Sequence, residues 1–166
     1  MQHVLVVDTD SDQDIGITRE ASIDYIMAYH EAGHTVAALA LCMALKEVSI
    51  NPPRTRVRLP LLTSFHDSIA IERDAVYTLA GEMAEKVIHD EDEHVSVDDR
   101  AHLQELAASL YADDPNGAAK WTARMEIKTE VLVEKHWSDI VSVATKLLSD
   151  PVRRFSGNEI RVLPER

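Results

Sequence analysis

Apolar residues recur at helical spacing from Ser22 to about Leu45: Ile23, Ile26, Met27, Ala37, Ala38 and Leu41 share one face, and His30 and His34 interrupt that stripe. The run has no proline and is rich in alanine, leucine and methionine, with Ser22 placed to cap it, so one long helix is expected. Glu47 to Ile50 reads as a strand closed by Pro52–Pro53, and Arg56 to Leu59 alternates in the manner of a second strand. A second helix is expected from Asp67 or Ser68 to about His89, and a third from about Asp98 to Tyr111. Asp113 to Gly117 breaks the chain, and one further long helix is expected from about Ala118 to Leu148, ahead of Pro151. A short helical piece follows near Gly157 to Val162. The expected fold class is therefore mainly α, with a small β element after the first helix. The division is an acidic N-terminal arm over residues 1–20 and one domain over 21–166.

Composition narrows the partners. A net charge of -12 argues against nucleic acid and against docking on an anionic membrane, since both need a basic face. No apolar run approaches the roughly 18 residues of a membrane-spanning helix, and the first residues lack the pattern of a signal peptide. Cys42 is the single cysteine, which rules out an intrachain disulfide and a cysteine zinc site and fits a reducing, cytoplasmic setting. Its neighbours Leu41 and Met43 suggest a buried thiol. The alternating Asp8, Asp10, Asp12 and Asp14 do not make a calcium loop, because Gln13 and Arg19 stand where glycine and glutamate are needed.

Candidate chemistry lies in the first helix, where His30-Glu31-Ala32-Gly33-His34 spells HExxH. Positions i and i+4 share a helix face, so both imidazoles can hold one Zn2+ ion. Glu31, next to the first histidine, is placed to take the proton of a water that zinc has acidified. Two histidines within an apolar stripe need partners, and a metal supplies them. Gly33 in mid-helix implies a close neighbour. A catalytic zinc usually takes three protein ligands. Spacing leaves the third open among His66, His89, His94, His102, Glu82, Glu85, Asp98 and Asp99.

The segment AYHEAGHTVAALAL resembles the zinc helix of the FtsH-type proteases, the peptidase half of membrane-anchored AAA proteases. Further segments are similar to that family in the same order: KEVSINPPR, AVYTLAGEMAEKVI, VSVDDRAHLQELA and FSGNEIRVL, together spanning about residues 25–163. The resemblance implies an aspartate as third ligand. Register against Leu106-Ala107 assigns it to Asp99, with Asp98 the neighbour one residue away. His30, His34 and Asp99 are thus the implied metal ligands and Glu31 the implied general base. The chain departs from the family at Gly81-Glu82, where the family carries Gly-Arg, and it has no Walker A motif.

The expected function is zinc-dependent endopeptidase activity on peptides or unfolded segments, independent of ATP. An ATPase would be a separate partner, and a homo-oligomer is compatible with the resemblance. Glu47 to Ile50 is the expected sheet edge for an extended substrate. Two alternatives stand beside this reading. A regulatory HExxH protease of another family would take its third ligand from outside residues 96–102. A non-catalytic binding or assembly module would have no use for Glu31.

Overall fold

The computed structural model describes residues 14–58, 68–88 and 97–160. Six helices and three strands follow in the order α1 (Asp14–Ala40), β1 (Ala44–Ile50), β2 (Pro53–Arg58), α2 (Ser68–Ile88), α3 (Val97–Leu110), α4 (Pro115–Lys135), α5 (Trp137–Ser149), β3 (Arg154–Ser156) and α6 (Gly157–Ile160). The mainly helical class with a small sheet is as expected. Among the described residues no helix is long and apolar enough to cross a membrane.

Helix α1 is the central element. It packs chiefly on α2 and α5, and the sheet lies beside it. From Ala28 to Ala38 every residue is buried, so the expected single apolar stripe is instead a helix enclosed on all sides, and Ile23 is exposed. Small residues allow this. A Cβ added at Gly33 would lie 2.3 Å from the Ala80 carbonyl oxygen and 2.9 Å from the Ala84 Cβ. The close neighbour inferred from Gly33 is therefore α2. One core joins Ala32 and Val36 of α1 to Val48, Ile140 and Leu147, and a second joins Ile71 and Leu79 of α2 to Leu103, Trp121 and Met125.

Several boundaries differ from expectation. Helix α1 begins at Asp14, ahead of Ser22, so the end of the expected acidic arm is helical, while residues 1–13 lie outside the described residues. The expected helix Ala118–Leu148 is two helices that part at His136. Helix α4 starts at Pro115, capped by Asp114, whose carboxylate accepts from the Gly117 N–H at 2.9 Å. It turns Trp121, Met125 and Val133 inward, whereas α5 turns Ile140, Val143 and Leu147 onto α1. Trp137, at the junction, stacks on Tyr29 with ring centroids 5.6 Å apart. Cys42 is exposed rather than buried, in a turn with φ of 56° that carries the chain from α1 into β1.

The sheet is antiparallel in the order β2-β1-β3. Strand β1 is therefore central, with both its edges taken, and the expectation that Glu47 to Ile50 offers a free edge is wrong. The cause is the short strand Arg154–Ser156, which returns from α5 to pair with Glu47, Val48 and Ser49. Among the described residues the outer strand on the side of the HExxH helix is β2, where Thr55 lies opposite Val48.

Candidate metal centre

His30 and His34, one turn apart on α1, are buried and face α2 and the first turn of α3. Each ring is held at Nδ1. His34 Nδ1 donates to the Tyr77 carbonyl oxygen at 2.8 Å, and His30 Nδ1 meets Glu85 Oε1 at 2.9 Å. A carbonyl only accepts, so Nδ1 of His34 carries hydrogen and its Nε2 is the atom turned toward His30 and Asp99. The two histidine Nε2 atoms are 2.9 Å apart, and Asp99 Oδ2 lies 3.4 Å from one and 3.5 Å from the other. His30 Nε2, His34 Nε2 and Asp99 Oδ2 thus lie close enough together that they could hold one metal ion.

The donor set fits zinc. Two imidazoles and a carboxylate are usual zinc ligands, and bonds of about 2.0–2.1 Å in a tetrahedron set neighbouring ligand atoms about 3.3 Å apart. The observed separations agree to within a few tenths of an ångström. Gly81 of α2 provides the room. A Cβ there would lie 2.5 Å from His34 Nε2 and 2.8 Å from His30 Nε2. Burial disfavours an imidazolium at His30, but Asp99 and Glu85 outweigh it and raise its pKa to about 10. Burial likewise opposes the charge on Asp99, yet His30 and His34 hold its carboxyl well below the usual carboxylate range.

Glu31 is buried beside these groups, and burial raises its pKa while His34 and a hydrogen bond from Thr55 oppose the rise. The Thr55 hydroxyl lies 2.7 Å from Glu31 Oε2. Burial, with Glu31 and Asp99 close by, pushes the Tyr77 phenol upward, so it stays a donor, and it donates to the Thr55 carbonyl oxygen at 2.9 Å. A cavity of about 510 Å³ opens on this side, lined by Thr55, Arg56, Tyr77, Asp98, Asp99 and His102 among others.

The remaining ligand candidates have other tasks or lie elsewhere. Glu82 is buried and pairs with Lys86 at 2.6 Å and with Arg100, which also reaches Glu126 at 3.2 Å. Arg100 thereby pins the first turn of α3, next to Asp99, to α2 and α4. His102 Nε2 sits 3.0 Å from Asp74, and Asp98 is exposed on the cavity rim. His66, His89 and His94 lie outside the described residues.

Glu85, Tyr77 and Thr55 were missed as supporting groups. Glu85 had a signal, since it stands one helical turn after Gly81 on the face turned to the histidines. Thr55 had none, because its role depends on how β2 lies against α1. No protein-family model matches the chain, and no curated protein matches it.

Proposed function

We propose that this chain is a zinc-dependent metalloendopeptidase of the FtsH type, acting on peptides or unfolded segments. The observation that carries the reading is the convergence of His30 Nε2, His34 Nε2 and Asp99 Oδ2 within 4.8 Å, with the carboxylate of Glu31 alongside. Among the described residues the histidines' carboxylate partner at Nε2 comes from within residues 96–102, against the first alternative. A purely structural site has no need of a buried carboxylate held apart from the ligands, against the second.

Zinc bound by His30, His34 and Asp99 would supply Lewis acidity, acidifying a water and polarising the scissile carbonyl. The chain's own residues do the rest. The Tyr77 carbonyl fixes the tautomer and orientation of His34, and Glu85 lies against Nδ1 of His30 as its ion-pair partner. Glu31 accepts the proton of the attacking water and returns it to the leaving amine as a general acid–base. Strand β2, beside the cavity, receives the substrate in extended form by backbone pairing. A folded substrate needs a separate ATPase partner to open it.

The test is cleavage of an unfolded casein-like protein by the purified chain. The reading expects cleavage that a chelator abolishes and that stoichiometric zinc restores. Cleavage indifferent to the chelator, or none with zinc bound, would overturn it.

A further inference from the structure

A general base must do more than lie near the site. Its free oxygen has to face the water, and a glutamate side chain has three rotatable bonds with which to miss it. Glu31 is buried in the middle of α1, so its backbone is fixed by the helix.

Among the described residues the Glu31 carboxylate is met by the hydroxyl of Thr55, from another element. Strand alternation points Thr55 toward α1, while Arg54 on the opposite face pairs with Glu47 at 2.9 Å. Thr55 Oγ1 lies 2.7 Å from Glu31 Oε2, 3.1 Å from the Glu31 carbonyl oxygen and 3.4 Å from Thr35 Oγ1. A hydroxyl has one proton to give, and the shortest, charge-assisted contact takes it. Thr55 therefore donates to Oε2, and the fully buried Thr35 is left to donate to Thr55. Tyr77 completes the frame: its hydroxyl holds the Thr55 carbonyl and its own carbonyl holds the ring of His34. One α2 residue thus sets both a metal-binding imidazole and the strand that orients the carboxylate.

We infer that Thr55 is a positioning residue for Glu31: it occupies Oε2 and thereby presents the other oxygen for proton transfer. The inference rests on the general-base role proposed above for Glu31. A carboxylate has two oxygens, and one anchored by a donor leaves the other with a defined direction. Because Thr55 belongs to the strand that borders the cavity, the base is oriented by the same strand that pairs with the substrate. Substrate register and base direction are thereby set from one element.

The variants are Thr55→Val, which keeps the shape and strand preference but lacks the donor, and Thr55→Ser, which keeps the donor. Thr55→Ala serves as a second donor-free variant should valine disturb the β1–β2 pairing. Crystal structures of the zinc-loaded full chains give the readout that does not depend on activity. Glu31 Oε2 stays bonded to residue 55 in the wild type and the serine variant, and the carboxylate turns or spreads over several orientations in the valine and alanine variants. In the cleavage assay kcat falls about 10- to 100-fold in the donor-free variants, with KM, zinc content and melting temperature near wild type, and serine restores most of the loss. An unmoved Glu31 carboxylate in Thr55→Val and Thr55→Ala overturns the inference, whatever the rates. So does a loss that falls on KM, or one that serine fails to restore. If the zinc-loaded wild type cleaves nothing, the peptidase reading falls, and the orientation of Glu31 in the crystals still decides the role of Thr55.

Discussion

Replacing Gly81 with alanine should take the metal away while leaving the fold in place. In an unconstrained helix the change would stabilise by about 1 kcal/mol, because alanine is the better helix former. Here the new Cβ would lie 2.5 Å from His34 Nε2 and 2.8 Å from His30 Cε1 and Nε2. That is about 1 Å inside the separation of roughly 3.5 Å at which such atoms rest. The atoms that must give way are imidazole tips, not backbone, so the rings can swing at an off-rotamer cost of about 0.5–1.5 kcal/mol each. The helix gain offsets part of this, and the metal-free protein should unfold within about 2 kcal/mol of wild type. Zinc is less tolerant, since its ligand distances hold to about ±0.2 Å. A displacement several times larger should cost at least about 100-fold in affinity, or about 2.8 kcal/mol. The assay pairs metal-free thermal unfolding with zinc titration against a competing chelator. Gly33→Ala is the contrast, because its Cβ would meet the Ala80 carbonyl at 2.3 Å and force α1 from α2. That variant should lose stability with or without zinc, by about 1–3 kcal/mol or more. Wild-type zinc affinity in Gly81→Ala would refute the reasoning, since the imidazoles would then not occupy the space that glycine leaves.

Two other predictions follow from the site and the cavity. Asp99→Ala should weaken zinc binding sharply while Asp98→Ala, exposed on the rim, should change it little; the opposite ranking in a metal titration would move the ligand to Asp98. The purified chain should cut an unfolded protein and spare its stably folded form with or without ATP, because opening a fold worth about 5–15 kcal/mol needs work these residues have no motor to supply; efficient destruction of the folded form would contradict this.

The helical elements were legible where local signals were strong. Ser68 and the Asp113–Gly117 break marked helix boundaries, and the HExxH spacing put two imidazoles on one face before any fold was known. What was not legible depended on contacts distant in sequence. The parting of α4 and α5 at His136 has no glycine or proline to announce it; it follows from two apolar faces that pack on different partners, α2 and α1. Strand β3 has three residues and exists because β1 is there to receive it. Cys42 sits between two apolar residues in the chain, but the turn after α1 carries it outward. At the site, spacing found His30 and His34, the resemblance pointed to Asp99, and neither could find Thr55, which reaches Glu31 only because β2 folds back against α1. Glu82, a possible ligand by residue type, is consumed by Arg100 and Lys86 instead.

The proposed chemistry depends most directly on Glu31. Glutamine at this position keeps the size and the hydrogen bond to Thr55 but cannot accept a proton, and residue 31 is not among the converging ligands. Zinc content and cleavage of an unfolded substrate should therefore be measured together in Glu31→Gln and in the wild type. The prediction is one zinc per chain in both proteins, with cleavage in the wild type alone. A Glu31→Gln protein that holds zinc and cleaves at the wild-type rate would contradict the catalytic assignment.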